Sequence, residues 1–153
     1  MTSTGIVTEI AQAVAADKPD LLIFLGDQMK PPVLSALQQW TNTMAPVYQA
    51  GIGVYPIRGN HDANTNYDPG STNWMTVYNY LPTNGPPGEV GFTYSVSNMN
   101  AVFIGLDENV NSNRVNQEWL NAQLASSTGQ HVFVFGHMPA FPTGTQISNS
   151  LAN

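Results

Sequence analysis

The sequence predicts an α/β fold, in which amphipathic helices alternate with short apolar strands. Two observations indicate this class: apolar residues recur at helical spacing in several segments, and compact apolar runs lie between them, bounded by glycine, proline or polar residues. A chain of 153 residues with 13 glycines and 11 prolines has the length of one turn-rich globular domain. Such a domain can bury about 70% of the surface that its unfolded chain exposes. We therefore predict a single domain over residues 1–153.

The first elements alternate in the order αβαβ. A first helix is predicted from apolar residues at helical spacing, which are Ile6, Ile10, Ala13 and Val14. The run LLIFL at 21–25 then predicts a buried strand. A second helix presents three apolar residues on one face, Val33, Leu37 and Trp40. The run GVYPI at 53–57 predicts another short strand, whose proline favours an end or an edge.

The second half of the chain predicts a helix, a hairpin, and a further helix followed by a strand. The first of these helices has the apolar stripe Trp74, Val77, Tyr78 and Leu81. GFTYSV at 91–96 and AVFIGL at 101–106, separated by the turn sequence SNMN, predict an antiparallel pair. The last helix contains Trp119, Leu120 and Leu124, with Asn113 or Asn116 as its N-cap. VFVF at 132–135 predicts the last strand.

Polar residues follow three of the predicted strands. Gly26-Asp27 comes after LLIFL, Gly59-Asn60-His61-Asp62 after GVYPI, and Gly136-His137 after VFVF. Strands joined through helices tend to be parallel, and functional groups gather beyond their carboxyl ends in open α/β sheets. Each glycine permits a tight turn that lets the next side chain face a shared crevice. The crevice would hold a carboxylate, an amide oxygen and two imidazoles, which suits metals that prefer oxygen and nitrogen ligands.

Composition excludes several classes of protein. A formal charge of −6 with only four Lys and Arg residues argues against nonspecific nucleic-acid binding. The lack of cysteine excludes a disulfide scaffold and thiolate metal sites, and no apolar run reaches the ~20 residues of a membrane span. Charged residues make up 9% of the chain and uncharged polar residues carry the surface instead, which favours an extracytoplasmic location in bacteria. The oligomeric state is left open.

Three motifs carry a resemblance to a known family. GDQ, GNHD and VFGH, in this order and each after a strand, resemble the central motifs of the calcineurin-like metallophosphoesterase superfamily. The segments KPDLLIFLGD, GFTYSVSNMNAVFIGLD, NQEWLNAQL and HVFVFGHMP extend the resemblance over most of the chain. It implies an α/β/β/α sandwich. It also implies a hydrolase of phosphomonoesters or phosphodiesters that uses two metal ions and a metal-bound hydroxide.

The resemblance assigns roles to five residues. Asp27 resembles the carboxylate that bridges the two metal ions, and Asn60 and His137 resemble ligands of one of them. His61 resembles the catalytic histidine that assists the leaving oxygen, and Asp62 would orient and polarise it. The metals would be Mn, Fe or Zn, since nitrogen and oxygen ligands alone do not settle the choice.

The sequence departs from the family pattern at two ends and at one internal position. No Asp-x-His or Asp-x-Gly motif precedes Ile6, and no histidine follows His137, so the predicted sandwich is incomplete at its first strand and its C-terminal part. Purple acid phosphatases place a tyrosine where this chain has Lys30, which argues against an iron-tyrosinate site.

Two explanations of the missing motifs stay open. The chain is an internal fragment of an active enzyme, which is preferred because it stops soon after a predicted ligand, or it is a degenerate binding or scaffold module with the same fold. A missing central strand would leave the edges of LLIFL or VFVF uncovered, and poor solubility is expected.

Other polar and aromatic residues have structural interpretations. Asp107 follows a strand and is interpreted as a turn cap. Arg58 fits either a structural ion pair or a phosphate contact, and His131 is interpreted as structural. Three aromatic residues would cover the core or stack on a leaving group, with the core preferred: Trp74, Tyr78 and Tyr80.

Overall fold

The structure, a computed structural model, describes residues 3–111 and 114–139. Within these ranges, five α-helices and five strands alternate as predicted for an α/β fold. The helices are α1 Ser3–Asp17, α2 Leu34–Thr43, α3 Ala45–Gln49, α4 Thr72–Val77 and α5 Gln117–Ser126. The strands are β1 Leu21–Phe24, β2 Gly53–Pro56, β3 Tyr94–Asn98, β4 Ala101–Gly105 and β5 His131–Phe135. A short 3-10 helix, Pro69–Ser71, precedes α4.

The strands form two sheets. In the first sheet β1 and β2 are parallel, with Leu22 opposite Val54. In the second sheet β3 and β4 form the predicted antiparallel hairpin, and β5 joins β4 in parallel with Val132 opposite Val102. Helices α2 and α3 connect β1 to β2 and α5 connects β4 to β5, as parallel pairs require. The carboxyl ends of four strands are therefore available for a site.

The two sheets contact each other through their inner faces. Ile23 and Tyr55 of the first sheet and Phe103 of the second line a small cavity, and the Tyr94 hydroxyl donates to the Pro56 carbonyl at 2.8 Å. Helices α1 and α2 contribute to the core beside the first sheet, and α5 packs on the outer face of the second. This arrangement agrees with the α/β/β/α sandwich that the family resemblance implies.

Helix α1 buries a different face from the predicted one. Ile6 and Ile10 are 47% and 54% exposed, whereas Ala11 is fully buried. Val7 and Val14 pack against the core beside Ala11, so the buried stripe runs Val7, Ala11, Val14. Two overlapping stripes fit the helical period here, and the neighbouring helices select one of them.

The other helices are mostly where the sequence predicted them. Leu37 and Trp40 of α2 are buried, and the Asn116 side chain caps α5 by accepting from the Trp119 N–H at 3.0 Å. The alternative cap, Asn113, lies outside the described residues. Helix α4 ends at Val77, so the buried Tyr78 follows the helix instead of continuing it. Helix α3 was not predicted.

Strands β1 and β5 are less buried than their apolar sequences suggest. All four residues of β1 are only half-buried, and Phe133 and Val134 of β5 are 47% and 46% exposed. Each strand has one hydrogen-bonded neighbour within the described residues, which leaves an edge open. Both strands are therefore edge strands within the described part of the chain.

No helix in the described part of the chain has the length and apolar character needed to cross a membrane.

Candidate metal and active site

Asp27 lies in a tight turn directly after β1. Gly26 and Asp27 have φ angles of 87° and 55°, so two consecutive residues are left-handed. Aspartate is one of the few residues other than glycine that adopts this conformation readily. A Cβ atom on Gly26 would lie 2.6 Å from the Gly59 nitrogen and 2.8 Å from His137 Nδ1. A glycine is therefore required here both for the turn and for the contact between three loops.

Gly59 is required for a related reason. A Cβ atom at this position would lie 2.2 Å from Asp27 Oδ1 and 2.5 Å from the Asp27 nitrogen. The absence of a side chain lets the loop after β2 contact the loop after β1. This contact brings the predicted residues of both loops into one site.

The three predicted metal ligands converge. His137 Nε2 lies 3.4 Å from Asp27 Oδ1 and 3.2 Å from Asn60 Oδ1. Asp27 and Asn60 follow strands of the first sheet, and His137 follows β5 of the second. The site therefore spans the carboxyl ends of both sheets, as the sequence predicted for these motifs.

The hydrogen-bond roles at this point leave three acceptors facing one another. His137 Nδ1 donates to the Leu25 carbonyl at 2.7 Å, because a carbonyl oxygen can only accept. In the neutral imidazole Nε2 is then an acceptor, like the oxygens of Asp27 and Asn60. Acceptors this close repel unless a positive centre or a hydrogen-bond donor lies between them. A metal ion, a second proton on His137, or the reverse orientation of the Asn60 amide, which places its NH2 group beside Nε2, satisfies this arrangement.

The donor set fits a metal ion. Ligand atoms about 2.0–2.2 Å from a shared ion, in tetrahedral or octahedral geometry, lie roughly 3–3.5 Å from each other, which matches the two distances to His137 Nε2. A ligating histidine also commonly donates its other ring N–H to a backbone carbonyl, as His137 does to Leu25. Within residues 3–111 and 114–139, no group of three or more His, Asp or Glu side chains is arranged to hold a metal. The fit depends on including the Asn60 amide.

His61 borders the same site. Its backbone N–H donates to Asp27 Oδ1 at 3.0 Å, and its Nε2 lies 3.9 Å from Asp27 Oδ2. A third of the His61 side chain is exposed. An imidazole in this position can exchange protons with a molecule that contacts Asp27.

Asp62 contacts backbone groups instead of the His61 ring. Its carboxylate accepts from the N–H groups of Gln28 at 3.1 Å, Met29 at 3.3 Å and Gly59 at 2.9 Å. Burial raises the pKa of the Asp62 carboxyl, and backbone hydrogen bonds, including those from Gly59 and Met29, oppose the shift. The family resemblance implies that Asp62 orients the His61 ring. In the structure the Asp62 hydrogen bonds connect the loop after β1 to the loop after β2.

Glu108 was missed in the sequence. It is fully buried, and its carboxylate accepts from the N–H groups of His137 and Met138, both at 3.1 Å. Burial raises the pKa of the Glu108 carboxyl, while these N–H groups stabilise its charged form. The sequence feature that could have indicated Glu108 is its place directly after Asp107, as a second acidic residue at the end of a strand.

The structural interpretations of Asp107 and Arg58 agree with their contacts. Asp107 Oδ1 accepts from the Asn109 N–H at 2.7 Å as a turn cap, and Oδ2 pairs with Arg58 Nε at 2.5 Å. Arg58 lies over the Phe92 ring, 4.0 Å from its centroid, and is engaged in this buried pair. His131 begins β5 at the end opposite to the site and is exposed. Two of the aromatic residues are core residues, Trp74 and Tyr78, whereas Tyr80 is 46% exposed.

Comparison with known proteins places the chain beside one family. The family model described as calcineurin-like phosphoesterase matches residues 5–152. No curated protein matches the chain.

Proposed function

The chain belongs to the calcineurin-like phosphoesterase family, and from this we propose that it hydrolyses a phosphate monoester or diester at the site formed by Asp27, Asn60, His61 and His137. The observation that carries the proposal is that oxygens of Asp27 and Asn60 lie 3.4 Å and 3.2 Å from His137 Nε2, at the carboxyl ends of both sheets. A bound divalent ion would polarise a phosphoryl oxygen and neutralise its charge.

The residues of the site would divide the remaining work. Asp27, Asn60 and His137 would bind the ion, and the Leu25 carbonyl keeps His137 Nε2 directed at it. His61 would hold the proton that the leaving oxygen needs, because its Nε2 lies beside Asp27 Oδ2 and remains accessible. Arg58 is committed to Asp107, so this arginine is not free to bind phosphate, which increases the need for a metal.

We further propose two metal ions, Mn, Fe or Zn, with Asp27 between them. Asp27 offers a second oxygen, Oδ2, on the side of His61, away from the oxygen that faces His137. Among the residues that the structure describes, no group of three or more His, Asp or Glu side chains surrounds this second position. The substrate would be a phosphorylated small molecule or a phosphodiester.

Hydrolysis of chromogenic esters tests this proposal. Purified protein, loaded with Mn²⁺ or Zn²⁺, is expected to release nitrophenol from mono- or bis-nitrophenyl phosphate, and chelation should abolish the release. His61→Ala should reduce the rate by about 10²–10⁴-fold, the usual contribution of a general acid. His131→Ala is the matched control, since His131 is exposed at the far end of β5. Hydrolysis that persists in His61→Ala, or that needs no metal, would contradict the assignment.

A binding or scaffold module is the second candidate. The observation that favours it is that no group of three or more His, Asp or Glu side chains in the described part of the chain is arranged to hold an ion, so a single weakly held metal is the simpler outcome. Retention of one metal ion per chain with no nitrophenol release would support this candidate over the hydrolase.

A further inference from the structure

Two sets of hydrogen bonds fix the position of His137, one made by its ring and one made by the backbone around it. The first is the hydrogen bond from Nδ1 to the Leu25 carbonyl, which fixes the ring. The second is made to the Glu108 carboxylate, which accepts from the backbone N–H groups of His137 and Met138. Glu108 follows β4, and its hydrogen bonds within the described residues go to this backbone and not to Asp27 or Asn60.

The second set of hydrogen bonds lies where the sheet no longer supports the chain. The last ladder hydrogen bond between β4 and β5 runs from the Leu106 N–H to the Phe135 carbonyl at 2.9 Å. His137 and Met138 are beyond it, so their N–H groups need another acceptor. A carboxylate can accept from two adjacent N–H groups at once, because both of its oxygens carry only acceptor sites. The Glu108 carboxylate therefore accepts from the N–H groups that lie beyond the end of β4 at Gly105.

We propose that Glu108 is a positioning residue for metal binding, which fixes the backbone from which His137 reaches Asp27 and Asn60. This inference rests on the proposed function, since it assumes that His137 binds the ion. The Glu108 side chain is fully buried, and in the described part of the chain its hydrogen bonds go only to this loop. A residue that only stabilised the fold could lie in any loop. Glu108 instead binds the backbone of the proposed ligand His137 and of the next residue, Met138.

The chain offers a matched control in Glu89. Glu89 is also buried, at 1% exposure, and its carboxylate accepts from the Thr93 hydroxyl at 2.5 Å and from the Asn111 amide. These partners lie just before β3 and after β4, and neither is in the loop of His137 and Met138. Thr93 also accepts from the Asp107 N–H at 3.1 Å, so Glu89 touches the Glu108 segment only through an intermediate residue. Glu89→Gln and Glu108→Gln should therefore lose similar amounts of stability. Only Glu108→Gln removes a carboxylate that contacts the backbone of His137.

The test compares Zn²⁺ affinity by titration calorimetry with the His137 ring signals of metal-free protein by NMR. Glu108→Gln is expected to weaken Zn²⁺ binding by about 10–100-fold, the usual effect of a residue that supports a ligand, and to shift the His137 ring and the Met138 amide signals. Glu89→Gln should leave the Zn²⁺ affinity and the His137 and Met138 signals unchanged. The melting temperature is expected to fall in both variants, since each loses a buried carboxylate. Glu108→Asp, which keeps the charge, should recover part of the affinity and serves if Glu108→Gln does not fold.

Each failure has its own signature. If the wild-type protein binds no Zn²⁺, the proposed metal site is wrong, and the NMR signals still test whether Glu108 positions His137. If wild-type protein binds Zn²⁺ and Glu108→Gln binds it equally well with unshifted His137 signals, the positioning role is wrong. An equal loss of affinity in Glu89→Gln would reduce Glu108 to a general stabiliser and overturn the inference.

Discussion

His137 Nε2 lies 3.4 Å from Asp27 Oδ1, although the two residues follow strands of different sheets. The hydrogen bond from His137 Nδ1 to the Leu25 carbonyl, 2.7 Å long, ties the same two loops together. The site therefore depends on how the sheets pack against each other and not on either sheet alone. Side chains at the sheet interface, such as Tyr94 on the Pro56 carbonyl, maintain this geometry indirectly.

Replacing the Asp27 carboxylate tests the metal site with little change to the backbone. Asp27 is left-handed at φ 55°, and asparagine also tolerates this conformation, so Asp27→Asn should keep the turn. We expect metal retention after loading with Mn²⁺ or Zn²⁺ and desalting to fall by about tenfold or more, since even residues behind the ligands change affinity by that factor. Asp20→Asn, whose carboxylate meets Asn98 far from the site, is the control. Unchanged metal content in Asp27→Asn would exclude Asp27 as a ligand.

A methyl group at position 59 should separate the two loops of the first sheet. The added Cβ would lie 2.2 Å from Asp27 Oδ1, so the Asp27 turn must move. We expect Gly59→Ala to lose about 1–3 kcal/mol of unfolding free energy, as overpacked sites do, and to lose metal affinity as well. Gly51→Ala is the control: Gly51 has open space around it but φ +77°, so it should lose stability, by about 1 kcal/mol, with metal affinity intact. Equal metal binding in both variants would show that the loop contact is unimportant.

Sequence reasoning placed the three site loops because each motif follows an apolar run directly, and parallel strands bring such ends together. It also placed the hairpin, and it offered Asn116 as one of two possible caps of α5. What it missed depends on tertiary contacts. The face of α1 was wrong because Ile6 and Val7 both fit a helical stripe, and only the packing of neighbouring helices selects Val7.

Residues that act through backbone groups carry weak sequence signals. Glu108 and Asp68 are both buried acids, and Asp68 accepts from the Asn73 and Trp74 N–H groups at 2.9 and 3.1 Å at the start of α4. Their function follows from which N–H groups the fold leaves without a partner, which no spacing rule reveals. Asp62 was found by its motif, but its contacts to Gln28 and Gly59 were not.

Two buried tyrosines should make the protein sensitive to alkaline pH. Burial raises the pKa of Tyr78 and Tyr94, so the folded protein keeps protons that the unfolded chain releases near pH 10. The folded state then binds more protons than the unfolded state above about pH 10, and stability falls as pH rises through that range. Tyrosinate absorbance should show these two ionising only as the circular dichroism of the fold is lost. All six tyrosines titrating together in folded protein would contradict this.

Removing one partner of the buried Arg58–Asp107 ion pair should lower the free energy of unfolding more than replacing both partners with apolar residues. The side chains are 4% and 0% exposed with Nε and Oδ2 at 2.5 Å, so Asp107→Ala leaves a buried, unpaired guanidinium. We expect this variant to lose about 3–5 kcal/mol of unfolding free energy, measured by urea denaturation. Arg58→Met combined with Asp107→Leu removes both charges and should recover part of that loss, because the methionine side chain would keep the contact with Phe92 that the arginine makes. The turn N–H groups that Asp107 caps set the remainder. A double variant as unstable as Asp107→Ala would show that capping, and not the charge pair, dominates at this position.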